Sequence, residues 1–221
     1  MPRRLRPSAP IAADAILTGD PARAMMLAQE LTEQPLMSNH ARGLWGYVGR
    51  TADGRQLTVQ STGTGAPSAV IVLSDLAGLG LRRAVRVGTC SSLDGEHALG
   101  EVLAVATAYA GDGVSRTLGR GGETLAPGLV PPPDPPEGPL PAVRAASFDL
   151  APGHAPLPET GASVADLQTA ALFAAAPGLG VELGALLVVA EAGGEEIAEE
   201  ELAEAARRAG RIALALLSGR G

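Results

Sequence analysis

The chain has 221 residues and a formal net charge of -7, and all 17 of its basic residues are arginine. It is long enough to bury one sizeable core, while its acidic balance leaves no basic face for a nucleic-acid backbone or an anionic lipid surface. The single cysteine, Cys90, excludes an intrachain disulfide. No apolar region follows the basic residues 1–7 to make a secretory signal, and no apolar run is long enough to span a bilayer, so the expectation is a soluble, cytoplasmic protein with neither nucleic acid nor membrane as partner.

In chain order, residues 15–18 form a short apolar run that reads as a buried strand, turning at Gly19-Asp20-Pro21 into a helix near 22–31. Residues 44–48 and 56–60 flank Ala52-Asp53-Gly54-Arg55, whose Asp-Gly step signals an antiparallel hairpin. A helix over 68–79 is expected to start at Ser68 as its cap. Residues 84–87 read as a second buried strand, delivering Gly88 and Thr89 at its end, and 102–108 as a third. Residues 111–141 lose periodicity and read as a Pro/Gly-rich loop, with 131–136 a polyproline II surface excursion. A strand over 142–148, a helix over 163–176, a strand over 184–190 and a long amphipathic helix over 195–217 complete the chain. The last has acids early and arginines later, matching the helix dipole. This alternation predicts an α/β fold: a single domain over 1–221 with a central mixed, twisted sheet flanked by helices.

Three segments concentrate the chemistry. Gly19-Asp20-Pro21-Ala22-Arg23, Ser61-Thr62-Gly63-Thr64-Gly65-Ala66-Pro67-Ser68 and Arg86-Val87-Gly88-Thr89 each bring arginine or unencumbered backbone N–H groups to a strand end, where α/β sheets place ligands. Planar guanidinium forks and glycine-exposed amides are what a phosphate needs, and together the segments imply a bound phosphate. Their order, with Asn39-His40-Ala41-Arg42-Gly43 between the first two, resembles the nucleoside phosphorylases of the uridine and bacterial purine type. The resemblance runs over about 15–107 and resumes more weakly from Ser147. The STGTGAPS segment with Asp75-Leu76-Ala77-Gly78-Leu79-Gly80 and the Arg-Val-Gly-Thr segment is closer to the uridine enzymes.

That resemblance implies phosphate-dependent cleavage of a (deoxy)ribonucleoside, uridine-like in preference, to a free base and a sugar 1-phosphate. Inorganic phosphate is the co-substrate, with no cofactor or metal. It makes Gly19, Arg23, Arg86 and Thr89 the phosphate ligands and sends Arg42 across the interface of a homodimer, or of a ring of dimers, into the neighbour's site. It also implies that a helix which the family carries within 111–141 is lost here. The alternative is a diverged member that binds phosphate and nucleoside as an oligomer without phosphorolysis.

On the sugar and base side this sequence departs from the family. Ala165-Asp166-Leu167-Gln168-Thr169-Ala170-Ala171 looks like its ribose motif, with Asp166, Leu167 and Gln168 replacing a glutamate, a methionine and the ribose-binding glutamate. Thr64, Leu167 and Gln168 are the ribose candidates, and Gln168 lacks the carboxylate's charge-assisted strength. Ala151 and Pro152 stand where two aromatics would stack on the base, and Cys90 and Ser91 lie beside the base pocket. The purine enzymes use an aspartate after the late strand. Here Glu191 is the only ionisable residue in 188–194, and it reads either as an acid catalyst or as an acidic cap for the following helix. His154 is a proton-donor candidate or an exposed loop histidine. Arg3 or Arg4 could replace an N-terminal histidine of the family at the phosphate, and His40 and His97 have no metal-ligand spacing.

Overall fold

The structure, a computed structural model, describes residues 4–131, 135, 137–154 and 158–219. Arg3 and most of the 131–136 proline segment lie outside the described residues. The chain forms one eleven-stranded mixed sheet. Strand β1 (Asp14–Thr18) lies between β4 (Gln56–Ser61) and β5 (Arg83–Ser92), parallel to both. Beyond β4 come β3 (Gly46–Arg50) and the edge strand β2 (Glu33–Asn39), both antiparallel to their neighbours.

On the other side β5 joins a closed ring. It pairs with β10 (Glu182–Ala192), which pairs with β6 (Val102–Ala110), then β8 (Ala142–Ser147), then β9 (Val164–Asp166), which returns to β5. Short strands β7 (Thr124–Leu125) and β11 (Glu195–Glu196) pair with β6 and β10.

Strand periodicity divides the core between two faces of the sheet. Ile16, Val85, Val87, Leu186 and Val188 pack on one face, against helices α1 (Pro21–Leu31) and α5 (Glu199–Ser218). The intervening Ala15, Leu17, Ala84, Ala185 and Leu187 pack on the other, against α2 (Gly65–Ala77) and α4 (Thr169–Ala175). The predicted α/β fold with its mixed sheet and flanking helices is the one observed.

Several expected elements need correction. Helix α2 begins at Gly65 with Thr64 as its cap residue, not at Ser68. Pro67 falls in its first turn, where the missing N–H is tolerated, and the Ser68 hydroxyl donates back to the Thr62 carbonyl. The stretch 111–141 is not all loop: Asp112 caps a short helix α3 (Gly113–Thr117) by accepting from the Ser115 amide at 2.8 Å, and β7 follows. The helix expected over 163–176 is strand β9 first. The Asp166 carboxylate accepts from the Thr169 amide, which fixes the start of α4. Residues 195–196 form a hairpin with β10 through Gly193 and Gly194, both at positive φ, and α5 starts only at Glu199. Edge strand β2 was not expected at all.

Leu27 on α1 is fully buried between the sheet and α5. Leu27→Ala is expected to destabilise the fold by about 2–5 kcal/mol, read as a lower midpoint in denaturant unfolding with an unchanged slope.

Candidate active site

Every segment singled out for phosphate chemistry ends at one cavity of about 570 Å³. Gly19, Asp20 and Arg23 reach it from the β1–α1 turn, Gly63, Thr64 and Gly65 from the β4–α2 turn, and Arg86, Gly88, Thr89, Cys90 and Ser91 along β5. Ala165, Asp166, Leu167 and Gln168 line it from β9 and the start of α4. Glu191, Glu196, Ile197, Glu199 and Leu202 close it from β10, β11 and α5. The corrected elements matter here: the hairpin before α5 brings Glu196 and Glu199 into the lining, and nothing in the acid-rich pattern of the sequence distinguishes those two from a solvated helix face.

Arg23 lies in the first turn of α1, whose start is capped by Asp20 accepting from the Arg23 amide at 2.7 Å. Its guanidinium makes no hydrogen bond or ion pair among the described residues. Burial pulls its pKa below the ordinary arginine value, with Arg86 pulling the same way and Asp20 and Glu199 opposing. It is a partly desolvated cation with Asp20 and Glu199 as the nearby opposing charges.

Arg86 is in the opposite condition. It is 4 % exposed and crosses over Gly88, where a Cβ would come within 2.5 Å of the guanidinium, so only glycine fits. Its Nε donates to Thr169 Oγ1 at 3.1 Å, Nη1 to Gln168 Oε1 at 2.7 Å and Nη2 to Asp166 Oδ2 at 2.9 Å. Asp166 is a buried hub that also accepts from the Thr169 amide, the Thr169 hydroxyl and the Ser147 hydroxyl. Three of Arg86's five N–H groups are therefore used inside the protein.

Gln168, read from the sequence as a ribose ligand, is also occupied. Its Oε1 accepts from Arg86 and from the Thr62 hydroxyl at 3.2 Å, and its Nε2 donates to the Gly63 and Gly65 carbonyls at 2.7 and 3.2 Å. That uses both amide hydrogens and the lone pair facing Arg86, while the single Thr62 hydroxyl hydrogen is shared with the Thr18 carbonyl at 3.0 Å. Glutamine suits this position because a glutamate would turn a second oxygen toward two carbonyl oxygens.

Further along β5, Ser91 donates to Glu191 Oε2 at 2.8 Å. A bulge in β10 between Val189 and Glu191 resets the register and sets Glu191 opposite Ser91. Glu191 thus belongs to a strand, eight residues before α5 begins, and is not a helix cap. Cys90 is buried, with its thiol 3.7 Å from the Val188 carbonyl, and burial pushes its pKa far up. The cavity brings together Gly19, Arg23, Arg86, Thr89, Thr64, Leu167, Gln168, Cys90, Ser91 and Glu191. It does not include His154, which is exposed, or Arg42, which is exposed on the turn Ala41–Gly43 with φ +62. Arg4 is also absent from the lining; its amide donates to the Asp75 carboxylate. The sequence reading gave no role to Thr169 and Ser147, the hydroxyl partners of Asp166, although both stand in segments it singled out, because pairing within the fold is not visible in a segment match.

The model of the phosphorylase superfamily matches residues 14–151. The chain belongs to that superfamily. Curated relatives include the DeoD-type purine nucleoside phosphorylase of Clostridium novyi (strain NT), 35 % identical over 107 residues, covering 48 % of this chain and 46 % of that one. The DeoD-type purine nucleoside phosphorylase of Oceanobacillus iheyensis is 36 % identical over 94 residues, covering 42 % and 40 %. The chain thus spans about half the length of the curated relatives it matches. Uridine phosphorylase from Vibrio fischeri ES114 shares the fold with a TM-score of 0.79 at 19 % identity, over 95 % of this chain and 93 % of that one. Among the described residues, no helix is long and apolar enough to cross a membrane, and no group of three or more His, Cys, Asp or Glu residues could hold a metal.

Two outcomes follow from this geometry. Gln168→Glu is expected to destabilise the protein by about 1–3 kcal/mol in denaturant unfolding, by setting a carboxylate oxygen against the Gly63 and Gly65 carbonyls. With its thiol pKa raised, Cys90 is expected to react with a thiol-specific reagent about 100-fold more slowly in the native protein than in denaturant.

Proposed function

We propose that the chain is a cytoplasmic nucleoside phosphorylase acting on a purine (deoxy)ribonucleoside. Phosphate oxygen forms a bond to the anomeric carbon as the C–N bond breaks, giving sugar 1-phosphate and free base, with phosphate as the only co-substrate and no cofactor or metal. The observation that carries this reading is that one cavity gathers Gly19, Arg23, Arg86 and Thr89, suited to an anion, together with Ser91 and Glu191, suited to a base. Ser91 lies two positions beyond Thr89 on β5, about 7 Å along the strand, which leaves room for a sugar ring beside Leu167 and Thr64.

In this reading Arg23 and the backbone amides around Gly19 and Thr89 hold phosphate against the sugar. Glu191, held by Ser91, is the group placed to pass a proton to the departing base, whose developing negative charge is the chief obstacle to bond cleavage. Three points favour a purine: the purine-type enzymes that the sequence resembles use a carboxylate after the late strand, Glu191 stands on that strand, and the curated relatives are purine enzymes by name. The uridine-like preference drawn from the phosphate-side segments is tested in the same panel. Exposed Arg42 is free to reach a second subunit, as a homodimer or ring of dimers requires.

A specific observation favours a second reading. With the Gln168 oxygen held by Arg86 and its amide hydrogens on the Gly63 and Gly65 carbonyls, the sugar loses much of its expected side-chain acceptor, as in a protein that binds phosphate and nucleoside without turnover.

The test is base release from inosine, adenosine, guanosine and uridine with and without phosphate. Phosphate-dependent release from a purine nucleoside is expected, with Arg23→Ala lowering kcat/KM by about 100-fold and exposed His154→Ala leaving it within about threefold. Binding of phosphate and nucleoside without release would establish the second reading, and uridine cleavage alone would reassign the base.

A further inference from the structure

The cavity is lined by five carboxylates, those of Asp20, Asp166, Glu191, Glu196 and Glu199, and by only two arginines. One of those arginines, Arg86, already has a counter-charge in Asp166, at 2.9 Å with both side chains almost wholly buried. A site built simply to hold a phosphate dianion would leave its guanidinium groups uncompensated, whereas here Arg86 is already neutralised by Asp166. We propose that Asp166 acts as a built-in counter-anion for Arg86 and sets the charge of the anion the site accepts, so that phosphate binds as the monoanion and the dianion is disfavoured. This rests on the phosphate-binding reading above and adds to it a positioning residue and an ionic form of the co-substrate.

Two physical points support it. A buried ion pair screens its own cation, so a dianion approaching Arg86 meets the Asp166 charge at close range in a poorly solvated place, where charge interactions are strong. The monoanion brings half the charge and two O–H groups. Those hydroxyls can donate to carboxylates in a lining that is rich in acceptors, whereas the dianion has only one O–H to give.

Asp166 is not free to move aside. Ser147 on β8 and Thr169 on α4 hold it by hydrogen bonds, and β9 carries it between β8 and β5. The other titratable or charged groups facing the Arg86 end are Asp20 at the cap of α1, Arg23 from α1, Cys90 from β5 and Glu199 from α5, with Glu191 and Glu196 farther along the lining; in the dimer of the reading above, Arg42 of a second subunit adds one cation to wild type and Asp166→Asn alike.

The experiment is calorimetric titration of the whole chain with inorganic phosphate at about pH 6 and about pH 8, on either side of its second ionisation. Sulfate serves as a dianion whose charge does not change over that range. The wild type is expected to bind phosphate about fivefold or more tightly at the lower pH, and to bind sulfate weakly at both. Asp166→Asn keeps the size and one acceptor but removes the charge. It is expected to tighten phosphate by about tenfold at the higher pH and to bring sulfate into a measurable range.

Phosphate binding that is equal or tighter at the higher pH, or an Asp166→Asn protein that folds and binds dianions no better, overturns the proposal. If thermal melting shows that Asp166→Asn does not fold, the wild-type comparison of phosphate with sulfate decides alone. Phosphorolysis whose KM for total phosphate does not rise with pH would overturn the Asp166 proposal and leave the enzyme reading standing. Absence of phosphate binding at either pH, in wild type and variant alike, would overturn both.

Discussion

The buried Arg86–Asp166 ion pair is the contact on which the cavity depends. It ties β5 to the β9–α4 junction, and through Ser147 and Thr169 it reaches β8 and α4 as well. A buried pair of this kind contributes little net stability over a well-packed apolar alternative, but removing either partner leaves an uncompensated charge and is strongly destabilising. What it provides is definition of place. Gly88 has to be glycine because Arg86 lies across it, Gln168 has its orientation because Arg86 occupies its oxygen, and α4 starts at Thr169 because Asp166 holds that residue's amide.

The same contact alters how the family's parts are used. The family resemblance leads one to expect Arg86 at phosphate and Gln168 at the sugar, and each residue does line the cavity. Their polar atoms, however, are largely turned toward each other and toward the loop carbonyls of Gly63 and Gly65. Arg23 then stands apart as the lining arginine with no hydrogen bond or ion pair among the described residues, and Glu191 pairs with Ser91 farther along. The cavity thus combines one arginine compensated by Asp166, a second without such a pair among the described residues, and a set of carboxylates.

Much of the fold was legible in the sequence where short-range signals are strong. The Asp53-Gly54 turn, the buried strand before Gly19 and the strand delivering Gly88 all appear as expected, because turn chemistry and apolar runs are local properties. What escaped is non-local or short. Strand β2 is an edge strand with much of its length exposed, so it has no clean apolar alternation to read. Strand β9 is three residues long and is set by pairing with β5 and β8. Helix α3 is too short for a period. In the site, the motif residues converge on the cavity as a set, but their hydrogen-bond partners could not be foreseen, since Ser147, Thr169 and the loop carbonyls carry no signature of their own. His154 and Glu191 illustrate the difference. Both were ionisable residues near plausible places, and strand pairing with a bulge brought one to the lining while the other stayed in solvent.

The bulge in β10 has a bearing on how this strand can vary in length. Up to Val189 its residues alternate between the two packed faces, and the one extra residue, Ala190, shifts that alternation just before Glu191. Without the bulge, regular alternation at the same strand length would turn Glu191 to the opposite face of the sheet, toward α2 and α4 and away from Ser91. Loss of Ala190 alone would instead straighten the strand and leave the carboxylate opposite Ser91. The spacing between the apolar run of β10 and its first acid can therefore differ by one residue with the acid still facing the cavity, provided the bulge is gained or lost with it.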